Sequence, residues 1–118
     1  MTTPTSIESG RLPATIRGFL AARTARDTDT AARAFGAAAV VVDDGRTYRG
    51  TDEILGFLRD AGAGFTYTTE LIGAQRVDGA RWVATHRLEG DFPGGVDELD
   101  HRFTMDGERI AELVIAPR

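Results

Sequence analysis

Cysteine is absent from the 118 residues, which excludes disulfide staples, thiolate metal sites and cysteine nucleophiles together. Long apolar runs are absent too. The longest, Ala37 to Val42, has the length of a strand and falls far short of a membrane span. Met1 to Gly10 is polar, with Thr, Ser and Pro, and lacks the apolar stretch of a signal peptide. A cytoplasmic protein without a membrane partner is therefore expected. Arginine supplies all of the positive charge, scattered along a chain of formal net charge −4. Nucleic-acid binders usually gather their cations into a stripe that displaces counterions from phosphates, so no nucleic-acid partner is expected. The sequence also lacks a GxSxG elbow, a phosphate loop and a dinucleotide fingerprint. Gly62-Ala63-Gly64 has no third glycine, and a strand pattern follows it rather than a helix. His86 and His101 stand fifteen positions apart with no close acid–histidine spacing, which matches no zinc or iron pattern. Neither a metal nor another cofactor is expected.

What is present reads as one globular domain. The length suits a single core, and 42% hydrophobic with 27% charged residues is ordinary for a globular protein. Residues 1–11 read as a flexible lead-in to a domain spanning 12–118. Pro13 suits a first helical turn, and Leu12, Ile16, Phe19 and Leu20 recur at helical spacing through about Arg26. Asp27-Thr28-Asp29 is rich in capping residues, and a shorter helix over Thr30 to Phe35 follows it, ended by Gly36. Ala37 to Asp43 is apolar and β-branched, hence a strand, turned by Asp44-Gly45 toward Arg46 to Arg49. Thr51, Asp52 and Glu53 mark a third helix start, Ile54, Leu55, Phe57 and Leu58 its buried face, and Gly62 and Gly64 its end. Beyond Phe65 only strands follow, near 65–77, 80–91, 96–105 and 108–116. Asp78-Gly79 and Asp106-Gly107 read as two-residue turns and Phe92 to Gly95 as a wider one. This order is α+β. Three helices laid across the concave face of a curved antiparallel sheet would leave a tapering hole, a common place for small ligands.

The order and spacing of three segments, Phe35 to Asp44, Tyr48 to Ile54 and Phe103 to Ile110, resemble the nuclear transport factor 2-like superfamily. That superfamily includes ketosteroid isomerases and SnoaL-like polyketide cyclases. The resemblance runs from about Leu12 to Ile115 and implies a cone of three N-terminal helices on a strongly curved sheet. It also implies a homodimer formed through the sheet. Ketosteroid isomerases use an Asp base with a Tyr and a protonated Asp holding the oxyanion. Carried over, the base falls on Asp43 and the acidic partner on Asp100 or His101. The tyrosine position is taken by Phe19, whose ring has no donor, so a literal steroid isomerase is not implied. Scytalone dehydratase, a relative of the same fold with histidines in its pocket, makes a dehydratase a reading by analogy.

Asp43 is the leading candidate for chemistry. A carboxylate ending an apolar strand and facing a dry pocket would have a raised pKa and could act as a general base. The plainer alternative is that Asp43 and Asp44 only build the turn before Gly45. A two-residue Asp106-Gly107 turn would pair His101 with Glu112 and put His101 on the face of Leu99, Phe103 and Met105. His101 backed by Glu112 would be an acid–base pair in a pocket or an ordinary cross-strand ion pair. His86 shares a face with Trp82, Ala84 and Leu88, opposite Leu71. It reads either as a second pocket histidine or as a satisfied core residue. Tyr48 or Tyr67 could supply the donor that Phe19 cannot, and Phe57, Trp82 and Phe103 could line the cavity or fill the core. The expected catalytic set is Asp43, His101, Glu112 and Tyr48. The expected pocket set is Phe19, Phe57, Tyr67, Trp82, His86, Phe103 and Met105. The expected function is a pocket for a small hydrophobic or polycyclic molecule, with cofactor-independent isomerase, cyclase or dehydratase chemistry. The competing expectation is a non-catalytic domain that binds a ligand or dimerises.

Overall fold

Among residues 3–61 and 64–118, which the computed structural model describes, the chain forms seven strands and three helices. β1 (Thr5–Ile7) leads through a 3-10 turn at Ser9–Arg11 into α1 (Ala14–Thr24) and α2 (Thr28–Arg33). A hairpin of β2 (Phe35–Asp43) and β3 (Arg46–Arg49) precedes α3 (Gly50–Asp60). The remainder is β4 (Tyr67–Arg76), β5 (Arg81–Gly90), β6 (Val96–Asp106) and β7 (Arg109–Pro117). All seven strands join one sheet in the order β1-β4-β5-β6-β7-β2-β3. Neighbours are antiparallel except β2 and β7, which run parallel. The α+β class is as expected, but the helices are not all N-terminal, since α3 enters only after three strands. Nor is residues 1–11 a bare lead-in, because β1 pairs with β4 at the sheet edge.

Local chemistry explains most boundaries. α1 ends where Arg26 adopts φ 57°, and the Asp27 N–H returns to the Ala22 carbonyl at 2.8 Å, a paired closure of the last turn. Asp27 then caps α2, its carboxylate accepting from the Thr30 N–H at 3.2 Å and the Thr30 hydroxyl at 2.6 Å. α2 has the expected six residues but lies two positions earlier than its sequence pattern. Phe35 and Gly36 open β2 instead, because β7 recruits this segment: the Ile110 N–H donates to the Ala34 carbonyl at 2.9 Å. α3 begins at Gly50, at the expected start, with Asp52 and Glu53 in its first turn. Glu53 accepts from the Arg49 N–H at 2.9 Å. The expected stop at Gly62 lies outside the described residues.

Two hairpins depart from the expected registers. Asp106 pairs with Arg109, so Gly107 and Glu108 form the β6–β7 loop and the ladder is offset by two. A bulge between Thr104 and Met105 on one side and Ile110 and Glu112 on the other then adds one more residue to β7. At β4–β5 the turn is wider than two residues, closed by the Val77 N–H on the Arg81 carbonyl. A second bulge, at Ile72, offsets that change, so Leu71 still faces His86 as expected.

The inner face of the sheet carries the core. Leu12, just before α1, with Ile16 and Phe19 from α1 and Ile54, Phe57 and Leu58 from α3, packs with Val41, Phe103, Ile110 and Leu113. Phe19 stands edge-on to both Phe35 and Phe103, at ring-centroid distances of 5.3 and 5.8 Å, and joins α1 to the sheet. Phe103 is 1% exposed. Phe103→Ala is expected to lower the unfolding free energy by about 3–5 kcal/mol through lost burial and a residual cavity. Phe65→Ala, at a side chain 45% exposed, is expected to stay within about 0.5 kcal/mol of the parent. Urea unfolding of both variants checks this; similar losses in the two would contradict the assignment of the core.

Candidate functional site

Between the helices and the sheet lies an open-mouthed cavity of about 1140 Å³. Phe19, Phe57, Leu58, Leu88, Leu99 and Ile115 give it apolar walls, and Phe65, Phe92 and Pro93 also line it. About half of its lining residues are polar, among them Arg23, Asp43, Tyr67, His86 and His101. Such a site can hold a ligand by apolar area and orient it by its polar atoms.

Asp43 reaches the cavity because Ala39, Val41 and Asp43 alternate onto the inner face of β2. Asp44, at φ 51°, and Gly45, at φ 74°, take the two turn positions, which leaves Asp43 as the last strand residue, paired with Arg46. Among the described residues its carboxylate accepts no hydrogen bond. Burial raises its pKa, Asp44 adds to the rise, and Arg23 opposes both. A half-buried carboxylate without hydrogen-bond partners is a stronger base than one in water.

The two histidines meet. In the sheet His101 lies two strands from Asp43 along one row, with Ile115 of β7 between them. The Nδ1 atoms of His86 and His101 are 3.3 Å apart, and the rings stand edge to face with centroids 4.7 Å apart. Burial lowers the pKa of His86, with Arg23 adding to the effect. His101 falls to about 3, through burial first and then the charges of His86 and Arg23, against its hydrogen bond to the Leu99 backbone carbonyl. Both rings are therefore neutral near pH 7. One Nδ1 must then donate and the other accept, which leaves one free Nε2 lone pair and one Nε2–H. The pair offers an acceptor and a donor side by side.

Arg23 is the functional candidate that the sequence reading passed over. It lies one helical turn after Phe19 on α1 and lines the same cavity, its guanidinium carbon 5.6 Å from the Phe57 ring centroid. Burial pulls its pKa below the ordinary arginine value, against the attraction of Tyr67 and Asp43. The Phe19–Arg23 spacing was the signal available in the sequence, and it was masked by the number of other arginines.

Several expected members do not assemble. Glu112 is exposed on the outer face, opposite Thr104, because the β7 bulge brings Leu113 and Ile115 inward; His101 pairs with Ile115 instead. Tyr48 packs against Phe57, centroids 5.0 Å apart, and does not line the cavity. Phe103 is core beneath His101 rather than cavity wall, and Trp82 and Met105 pack against the core away from the cavity. Phe19, Phe57, Tyr67 and His86 line it as expected. Asp100 points elsewhere, accepting from the Thr85 hydroxyl at 2.6 Å. Among the described residues no group of three or more metal-ligating side chains occurs, and no helix is long and apolar enough to cross a membrane.

No protein-family model matches the chain, and no curated protein matches it. Solved structures do. A candidate polyketide cyclase from Sinorhizobium meliloti is 31% identical, with a TM-score of 0.85, over 93% of this chain and 100% of that one. A protein with a ketosteroid isomerase-like fold from Catenulispora acidiphila, in complex with trimethylamine, is 20% identical, with a TM-score of 0.75, over 88% of this chain and 85% of that one. An LEH-like epoxide hydrolase of M. tuberculosis is 20% identical, with a TM-score of 0.69, over 88% and 80%. The last two likenesses concern the fold.

The histidines make acid stability a test of the site. Their folded pKa values lie below the ordinary 6.5, so below pH 6.5 the unfolded chain binds protons that the folded chain refuses. Stability is therefore present above pH 6.5 and is lost as pH falls from there toward about 3. Asp43, with its raised pKa, works in the opposite direction above its ordinary 3.8. Comparison with a single variant separates the two: His101→Gln is expected to flatten the fall in unfolding free energy. An unchanged pH profile in that variant would show that His101 is not held neutral.

Proposed function

The chain belongs to the nuclear transport factor 2-like superfamily, and we propose that its cavity holds a small, flat, largely apolar carbonyl compound while Asp43 moves a proton on the carbon next to the carbonyl. The observation that carries this reading is one arrangement. A carboxylate without hydrogen-bond partners and a neutral, mutually hydrogen-bonded histidine pair line the same cavity. A base and a donor opening on one pocket is the minimum requirement for acid–base catalysis.

The chemistry follows from the groups. The Asp43 carboxylate takes the α-proton, the C–H electron pair moves into the carbonyl, and an enolate results. Return of the proton to a different carbon gives an isomer. Attack of the enolate carbon on a second carbonyl gives a ring, and loss of a β-hydroxyl as water gives an alkene. The His86–His101 couple suits all three outcomes, because its Nε2–H can protonate an oxygen while the other ring takes up a proton. Cyclisation gains support from the Sinorhizobium meliloti relative, itself described as a candidate polyketide cyclase. None of the steps requires an oxidant, a reductant or a bound cofactor.

A bicyclic ketone tests the reading without knowledge of the natural substrate. In deuterated buffer the protein is expected to accelerate hydrogen–deuterium exchange at C1 of 2-tetralone, followed by proton NMR. Asp43→Asn is expected to lower that acceleration by about 10²–10⁴-fold, the range usual for a general base. If 2-tetralone binds but exchanges no faster than in buffer, the cavity is a binding site and the catalytic reading fails.

A further inference from the structure

Resting on that reading, we propose that Arg23 is the cavity's oxyanion-binding residue and that the substrate class is therefore a carbonyl compound whose enolate oxygen faces the Arg23 guanidinium.

Three observations on the cavity lead there. Among the described residues Arg23 makes no hydrogen bond and no ion pair, although its side chain lines the cavity and is only partly exposed. Among the described residues the ion pairs involve Arg81, Arg87 and Arg118. The two other arginines that line the cavity, Arg26 and Arg59, are exposed. Arg23 is thus the cation with donors left for a ligand and the least water to satisfy them. Stacking on Phe57 leaves the guanidinium edge, which carries the donors, for an oxygen.

The other polar groups make the assignment specific. Phe19 has no donor, and Arg23 projects from the same helix face one turn further on. The histidines are neutral, so they cannot supply a fixed positive charge. Asp43 is near enough for its charge to be felt at Arg23, yet the two side chains form no ion pair. Base and cation thus line one cavity without pairing with each other. As Asp43 takes the proton and becomes neutral, negative charge appears on the substrate oxygen, and the attraction of Arg23 passes from the carboxylate to the enolate. A preformed cation in a water-poor site is worth most at the moment that charge develops.

2-Naphthol provides the probe, since its anion has the shape and charge of the 2-tetralone enolate. Asp43→Asn serves as host, the amide standing in for the protonated carboxyl. In this host 2-naphthol is expected to bind as naphtholate at a pH where it is neutral in buffer, seen as a red-shifted absorbance band. Adding Arg23→Gln is expected to abolish the band and weaken binding by about tenfold or more, whereas Arg23→Lys retains part of it. 2-Methylnaphthalene, which has no oxygen, is expected to bind the host and the Arg23→Gln double variant equally and so reports an intact cavity. If 2-naphthol binds in neutral form, or its ionisation survives Arg23→Gln, the assignment to Arg23 is overturned while the Asp43 reading keeps its own exchange test. If neither naphthalene binds, the cavity reading falls and this assignment falls with it.

Discussion

One extra residue in β7 decides what the cavity contains. Between Ile110 and Leu113 the strand accommodates Ala111 and Glu112 where strict alternation allows a single outward position. Alternation has a period of two, so an added residue reverses the facing of everything beyond it. Before the bulge Ile110 is buried; after it Leu113 and Ile115 turn inward and Glu112 outward. Ile115 then sits between Asp43 and His101 in one row across three strands. Without the added residue Glu112 would turn inward opposite Phe103, a carboxylate in the core on which His101 stacks, and would favour the charged state of that ring. The bulge keeps that carboxylate outside, and burial shifts Asp43, His86 and His101 from their ordinary behaviour.

The sequence was legible where local chemistry decides structure and illegible where register does. A cap within Asp27-Thr28-Asp29, Asp44-Gly45 as a turn and the inward face of β6 follow from residue types and spacing alone, and all are found. The α+β class follows from helices that precede long strands separated by glycine turns. Registers differ, because a hairpin's offset depends on which turn residues take up the loop and on bulges, neither of which leaves a compositional mark. His86 opposite Leu71 illustrates the point: a wider turn and a bulge at Ile72 offset one another, so a correct pairing was reached from an incorrect turn. No such cancellation occurs at β6–β7, and Glu112 was assigned to the wrong face. Tyr48 and Trp82 were misplaced for a different reason. An aromatic side chain on an inner face can serve core or cavity, and only the packing of α3 decides between them.

Arg23 went unnoticed because a charge on an amphipathic helix is ordinarily solvated. What distinguishes it is the company kept by its neighbours rather than its own type. Phe19 lies four residues before it, deep between Phe35 and Phe103, so the face of α1 that carries Arg23 is committed to the interior by the aromatic packing. The closure of α1 at Arg26 fixes the last turn, in which Arg23 lies among the helix carbonyls that favour a cation.

The division of charge in the cavity has a physical logic. Burying an ionisable group is costly unless it neutralises or finds a partner. The histidines neutralise, which leaves them free to trade protons through their Nδ1 contact. Arginine cannot deprotonate in a protein, so Arg23 keeps its charge and its demand for an oxygen. Asp43 lies between these limits, with a pKa raised by burial and restrained by the same arginine. Three responses to one desolvated environment thus give a base, a proton-sharing couple and a fixed cation facing one another across apolar walls. Closer pairing of Arg23 with Asp43 would restrain the carboxylate further and fill the cation's donors, leaving a more stable site with nothing to offer a substrate.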